Sequence, residues 1–127
     1  MNRSLRIAVA DDEPDVREYF QRILPRMGHT VVATASNGLE LVEMCREKTP
    51  DLIIADVRMP DLDGDVAIQR ICSNRPTPFI LISAYSKSAY SVAGVHQVGQ
   101  AHLTKRVKRD YLEEAIEKVC PILPVER

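Results

Sequence analysis

The chain has 127 residues, of which 45% are hydrophobic and 28% charged, with a net charge of −1. That is enough for one domain with a single core, and the balance is that of an ordinary soluble globular protein. So small a charge supplies no field that favours nucleic acid or a membrane surface, and 5% aromatics without Trp argue against base- or sugar-stacking.

Cys45, Cys72 and Cys120 are odd in number, widely spaced and without a CxxC pair. They fit a reducing cytoplasm and neither a disulfide framework nor a zinc site. Each reads as a small buried or half-buried hydrophobe. Met1-Asn2-Arg3-Ser4 runs straight into a strand, with no apolar signal segment. No apolar run approaches the roughly 20 residues of a membrane span.

In chain order, the first strand is Leu5 to Ala10, ending in Asp11-Asp12. A helix follows near Pro14, a good first-turn residue, with Asp12 or Glu13 as N-cap. Val16, Tyr19, Phe20, Ile23, Leu24 and Met27 recur at helical spacing and form its inward face. Pro25 lacks an N–H and should loosen the last turn before Gly28. The second strand is Thr30 to Ala35, and Ser36-Asn37-Gly38 turns into a helix ending near Lys48. Its inward candidates are Leu39, Leu41, Val42, Met44 and Cys45. The third strand, Leu52 to Asp56, is an apolar run closed by a carboxylate. A loop through Pro60 and Gly64 leads to a third helix, with Val66, Ala67, Ile68, Ile71 and Cys72 inward. The fourth strand is Phe79 to Ser83. The weakest helix signal, about Lys87 to Val98, contains Gly94. The fifth strand is Ala101 to Thr104, and the fifth helix runs from about Arg109 to Val119 with Leu112, Ala115, Ile116 and Val119 inward.

Five strands alternating with five helices imply a doubly wound α/β fold, a parallel sheet covered on both faces. A flavodoxin-like strand order, 2-1-3-4-5, makes strands one and three neighbours. Asp11, Asp12 and Asp56 then meet at the C-terminal edge of the sheet, where open α/β sheets bind ligands. Three clustered carboxylates repel and call for a hard cation such as Mg²⁺. Ser83 and Lys105 end strands four and five on the same edge. This set suits phosphoryl chemistry: a carboxylate nucleophile, a metal, an ammonium and a hydroxyl. There is no P-loop, GxSxG, HExxH or GxGxxG motif, which weakens nucleotide, hydrolase, zinc-protease and dinucleotide readings.

Asp11-Asp12, Asp56, Met59-Pro60, Gly64, Ser83-Ala84 and Lys105, in this order at successive strand ends, resemble the bacterial two-component response-regulator receiver domain. The resemblance covers about Leu5 to Val119, so residues 1–120 are expected to form the receiver and 121–127 a short tail or truncated linker. It implies Asp56 as phosphoacceptor. Asp12, Asp56 and the backbone carbonyl of Arg58 would bind Mg²⁺, with Asp11 acting through a metal-bound water. Lys105 would pair with Asp56 and then with the phosphoryl group. Ser83 would be the switch hydroxyl, and His102 the partner residue that moves with it. Arg58 and Tyr85 would either tune the lifetime of the phosphate by hindering the attacking water or simply point to solvent. The donor would be a sensor histidine kinase or a histidine phosphotransfer protein. The output would be a protein partner on the face of the fourth helix, fifth strand and fifth helix, with no nucleic acid or membrane. Such a domain transfers and slowly loses its own phosphoryl group and is not otherwise an enzyme.

Two departures from the family stand out. Arg106 follows Lys105 where a cis-proline is usual, and a cis bond at a non-proline residue costs about 2.5–4 kcal/mol. The expectation is a trans bond with a displaced loop, or a cis bond at that cost. His102 stands where the family usually has Tyr or Phe, a change that either makes the switch pH-sensitive or is simply tolerated at the surface. These departures motivate an alternative: a degenerate receiver that binds proteins independently of phosphorylation. A third reading, a haloacid-dehalogenase-like phosphatase, expects a second Asp where Arg58 stands. Basic residues from Lys105 to Arg109 read as a solvated loop and helix start. Arg22, Arg26, His29 and His96 read as exposed surface. For Asp11 and Asp12 the bland reading is strand ending and helix capping.

Overall fold

The computed structural model describes residues 4–84, 94–95 and 98–121. Five strands, β1 (Arg6–Ala10), β2 (Thr30–Ala35), β3 (Leu52–Asp56), β4 (Phe79–Ser83) and β5 (Gln100–Thr104), form one sheet in the order β2-β1-β3-β4-β5. All four pairings are parallel. Among the described residues there are four helices: α1 (Pro14–Arg26), α2 (Gly38–Lys48), α3 (Gly64–Asn74) and α4 (Arg109–Val119). The helix expected at about 87–98 falls largely outside the described residues, as do Tyr85, His96 and residues 122–127.

The apolar strands are explained by burial on both faces, which removes the usual alternation of apolar and polar residues. Ala8, Ala10, Ile53, Ala55, Phe79 and Leu81 face α2 and α3 with Leu41, Cys45, Ala67, Ile68 and Ile71. Ile7, Val9, Leu52, Ile54, Ile80 and Ile82 face α1 and α4 with Phe20, Leu24, Leu112, Ala115 and Ile116. The expected single core is therefore two apolar layers separated by the sheet.

α1 begins at Pro14 with Glu13 as N-cap, which makes no side-chain cap bond. Phe20 and Leu24 are fully buried, and Val16, Tyr19, Ile23 and Met27 pack around them. Pro25 lies inside the last turn, where the Met27 N–H bonds both Ile23 O and Leu24 O, and Gly28 follows at φ +92°. α2 starts on Asn37, whose Oδ1 accepts the Glu40 N–H at 2.8 Å, while Glu40 Oε1 accepts the Ser36 N–H at 2.8 Å.

Three inward or outward assignments need correction. Leu39 is 52% exposed, because it lies about 200° round the helix from Leu41, which with Cys45 defines the buried stripe. Val66 is exposed at the margin of the α3 stripe formed by Ala67, Ile68 and Ile71. His29 is half-buried rather than exposed, because its Nδ1 accepts the Leu5 N–H at 3.1 Å and so caps the start of the sheet.

Candidate functional site

Adjacency of β1 and β3 decides the site. Ala10 pairs with Ala55, so the residues that follow, Asp11 and Asp56, emerge side by side. Asp11 is also anchored to β2 through its N–H to Ala35 O at 3.0 Å. Carboxylate oxygens of Asp11, Asp12 and Asp56 lie within 4.8 Å of one another; Asp11 and Asp56 are buried and Asp12 is exposed.

Lys105 reaches this cluster from the end of β5, where its N–H bonds Ser83 O at 2.7 Å. Its Nζ is 3.1 Å from Asp56 Oδ2, 3.2 Å from Asp11 Oδ2 and 3.4 Å from Glu13 Oε2. The Lys105–Arg106 peptide is cis.

One ammonium cannot offset three carboxylates. Burial raises the pKa of Asp11 from 3.8 to about 6, against the backbone hydrogen bond from Glu13; nearby Asp56 raises it further and Lys105 lowers it. Burial also raises Asp56, with its hydrogen bond to Lys105 acting in the opposite direction. For Lys105, burial acts against the charge, yet the Asp11 and Asp56 carboxylates hold its pKa above the usual lysine value. Asp11 Oδ2 is buried and accepts no hydrogen bond of good geometry among the described residues, although Nζ lies 3.2 Å away. A buried, unsatisfied anionic oxygen in a net-negative cluster of hard oxygens fits a divalent cation of the Mg²⁺ type.

The loop after β3 is held close to Asp56. The Gly64 N–H bonds Val57 O at 2.8 Å, and a Cβ at Gly64 would collide with the backbone carbonyl of Asp56. Met59 is buried against the α2–α3 layer. The Arg58 N–H approaches Asp56 Oδ1 at 3.4 Å, but its guanidinium pairs with Asp63 at 3.2 Å and the side chain is 82% exposed.

The remaining expected residues are placed as follows. Ser83 ends β4 opposite Thr104, one residue beyond the Asp56–Ile82 pair. His102 pairs with Leu81, is half-buried, and lies on the sheet face opposite Ala101 and Leu103. Arg106, Lys108 and Arg109 are exposed, with Arg109 paired to Glu113 at 3.3 Å. The bland reading gives capping to Asp12 and strand ending to Asp11; the N-cap is Glu13, without a side-chain cap bond, and it is Asp11 Oδ1 that accepts the Glu13 N–H at 2.9 Å.

Sequence reasoning missed Glu13 as a site residue. In the sequence it stands out only as an N-cap, yet its carboxylate shares Lys105. The available signal was its place two residues after Asp11, at a strand end already rich in acids. Arg17 was also missed; its guanidinium donates to Asp11 O at 2.8 Å from the start of α1.

A parallel sheet of order 2-1-3-4-5 with an acidic pocket and one lysine at its switch point defines a flavodoxin-like α/β protein with a cation-seeking site. The family model of the response regulator receiver domain matches residues 7–117, and the chain belongs to that family. It is a receiver domain of the kind used in two-component signalling, a family in which phosphorylation and Mg²⁺ binding are general. Chemotaxis protein CheY of Bacillus subtilis is 32% identical over 89% of this chain and 95% of its own length. A protein-glutamate methylesterase/protein-glutamine glutaminase of Carboxydothermus hydrogenoformans is 36% identical over 91% of this chain. This chain spans 35% of that relative's length, so the similarity does not extend over the whole enzyme. Among solved structures, the receiver domain of the response regulator NarL from Mycobacterium tuberculosis superposes with a TM-score of 0.77 at 30% identity, covering 91% of this chain and 94% of that one. No helix among the described residues is long and apolar enough to cross a membrane.

Proposed function

We propose that residues 1–120 are a phosphorylation-controlled signalling switch in which Asp56 accepts a phosphoryl group from a sensor histidine kinase or a histidine phosphotransfer protein. The observation that carries this reading is the ion pair between Lys105 Nζ and Asp56 Oδ2, 3.1 Å long, in a cluster of three carboxylates of which Asp11 and Asp56 are buried. It holds the nucleophile and a cation for the incoming oxygens at one point on the sheet edge.

Asp12, Asp56 and the Arg58 carbonyl would hold Mg²⁺, with Asp11 supporting it. When bound, the metal supplies positive charge against both the carboxylates and the phosphoryl oxygens. An Asp56 carboxylate oxygen forms a bond to phosphorus as the P–N bond of the phosphohistidine breaks. Lys105 then exchanges part of its carboxylate contact for a phosphoryl oxygen, and Ser83 donates to another. That rearrangement biases the β5–α4 face, including His102, toward a partner protein. Slow self-hydrolysis resets the switch, with Arg58 and Tyr85 setting its rate, and no separate substrate is turned over. A cytoplasmic setting fits this exchange.

The test is intact-mass analysis after incubation with Mg²⁺ and a small acyl phosphate, beside Asp56→Asn. One base-labile phosphoryl adduct that needs Asp56 is expected. No adduct, or one indifferent to Asp56, sinks the switch and favours the phosphorylation-independent binding module. Release of phosphate from many esters favours a phosphatase.

A further inference from the structure

A second charged site lies at the opposite end of the fold. α2 ends at Lys48 just before β3 begins, and α3 ends at Asn74 before β4. Their C-terminal ends therefore meet at the sheet edge away from Asp56, separated from it by a five-residue strand, roughly 13 Å long. Between them is a cleft of about 170 Å³. Arg46 lines it from α2, Arg70 from α3, and Arg75 from the residue that caps α3. No carboxylate lines it.

The bland reading is three solvated arginines at helix ends, where cations favour the helix dipole. It accounts for Arg46, which sits in the last turn of α2 and pairs with Glu43 at 3.2 Å. The helix dipole does not account for the placement of the other two. Arg70 lies before the last turn of α3, which has no basic residue, and Arg75 lies beyond it. Neither forms an ion pair to an acidic side chain among the described residues. Arg75 is also held in extended backbone, φ −147° and ψ 107°, by the Pro76 that follows. The floor is apolar: Val42, Ile71 and buried Cys45, whose thiol burial pushes up to about 12 and so keeps neutral.

The geometry points to a binding site for a small organic oxyanion, a carboxylate or phosphate monoester carrying an apolar body, held by Arg70 and Arg75 over the Val42–Ile71 floor. Guanidinium groups match both oxyanions in bidentate fashion. The volume lies below the 300–1,000 Å³ usual for drug-sized ligands, so the occupant is small. The site is independent of phosphorylation at Asp56.

The experiment is an NMR titration of the Mg²⁺-free chain, reading backbone amides and arginine Nε–H signals, with benzoate and phenyl phosphate as probes. Benzylamine, of similar shape and opposite charge, is the control. Saturable shifts are expected for residues 42–49 and 70–77 with at least one oxyanion and not with benzylamine. The two arms report which oxyanion is preferred. Arg70→Gln with Arg75→Gln should weaken binding at least tenfold, while Asp56→Asn leaves it unchanged. Both arginines are exposed, and a urea midpoint near wild type confirms that the double variant folds. No saturable shift, equal shifts with benzylamine, or binding that survives the double variant overturns the proposal.

Discussion

Burial shifts Asp11 upward and His29 downward, with opposite effects on how stability depends on pH. For Asp11, burial raises the folded pKa to about 6 from 3.8. Its contribution to stability is fully present below 3.8 and is lost as pH rises through about 6, so at pH 8 the ionised form strains the native state. Asp11→Asn should therefore raise stability at pH 8 in EDTA by about 1–3 kcal/mol. Urea melts should show that gain shrinking toward pH 5. His29 has its pKa lowered by burial, and its neutral Nδ1 accepts from Leu5. Its contribution is present above the unfolded value of about 6.5 and is lost as pH falls through the folded one. Substituting His29 by Ala should lower the urea midpoint at pH 7.5 and flatten its dependence between pH 7.5 and 5. A variant as acid-sensitive as wild type would disprove that role.

At the scale of single elements, two helix starts differ in what they support. α3 begins at Gly64, where a side chain would meet the Asp56 carbonyl. Gly64→Ala must displace either the loop or the end of β3, at a cost of about 1–3 kcal/mol. It should also slow phosphoryl acceptance from an acyl phosphate, because the shift falls on Asp56 itself. α2 begins at Asn37, whose side chain satisfies Glu40 N–H. Asn37→Ala should cost about 0.5–2 kcal/mol and leave the acceptance rate unaltered, since its loss is confined to the cap. Measuring both variants by urea denaturation and adduct formation separates the two roles; equal rates for Gly64→Ala and wild type would contradict the first.

Over the whole molecule, the site works against the fold that carries it. Two apolar layers share one sheet, and the acids sit at its edge against the half-buried Lys105 ammonium. A cation that binds only the folded chain stabilises it by mass action, about 2.7 kcal/mol at a hundredfold excess over its dissociation constant. Mg²⁺ should raise the melting temperature, EDTA should reverse this, and Asp12→Asn should abolish most of the effect. Equal melting temperatures with Mg²⁺ and EDTA would count against a metal site.

Much of this was legible in the residues. The apolar runs Ile7–Ala10, Leu52–Ala55 and Phe79–Ile82 are buried on both faces, and that double burial is why they read as strands of a parallel sheet. Strand ends are marked by a change from apolar to charged, so Asp11, Asp56 and Lys105 were visible as candidates. Leu39 misled because spacing alone cannot say which stripe of a helix turns inward until the helix is docked. His29 misled because its partner, the Leu5 N–H, is 24 residues away.

What the sequence determined by itself is local: periodicity, breakers and capping residues set the bounds of the elements, and their alternation set a parallel sheet. The strand order also brought Asp11, Asp12, Asp56 and Lys105 to one edge; what only the tertiary structure decided is the convergence of side chains that strand order does not give. Glu13 and Lys105 are 92 residues apart yet 3.4 Å apart in space, and three arginines from α2, α3 and the α3 cap line one cleft. Contacts of this kind depend on side-chain direction after two layers have packed, and the chain order carries no record of that.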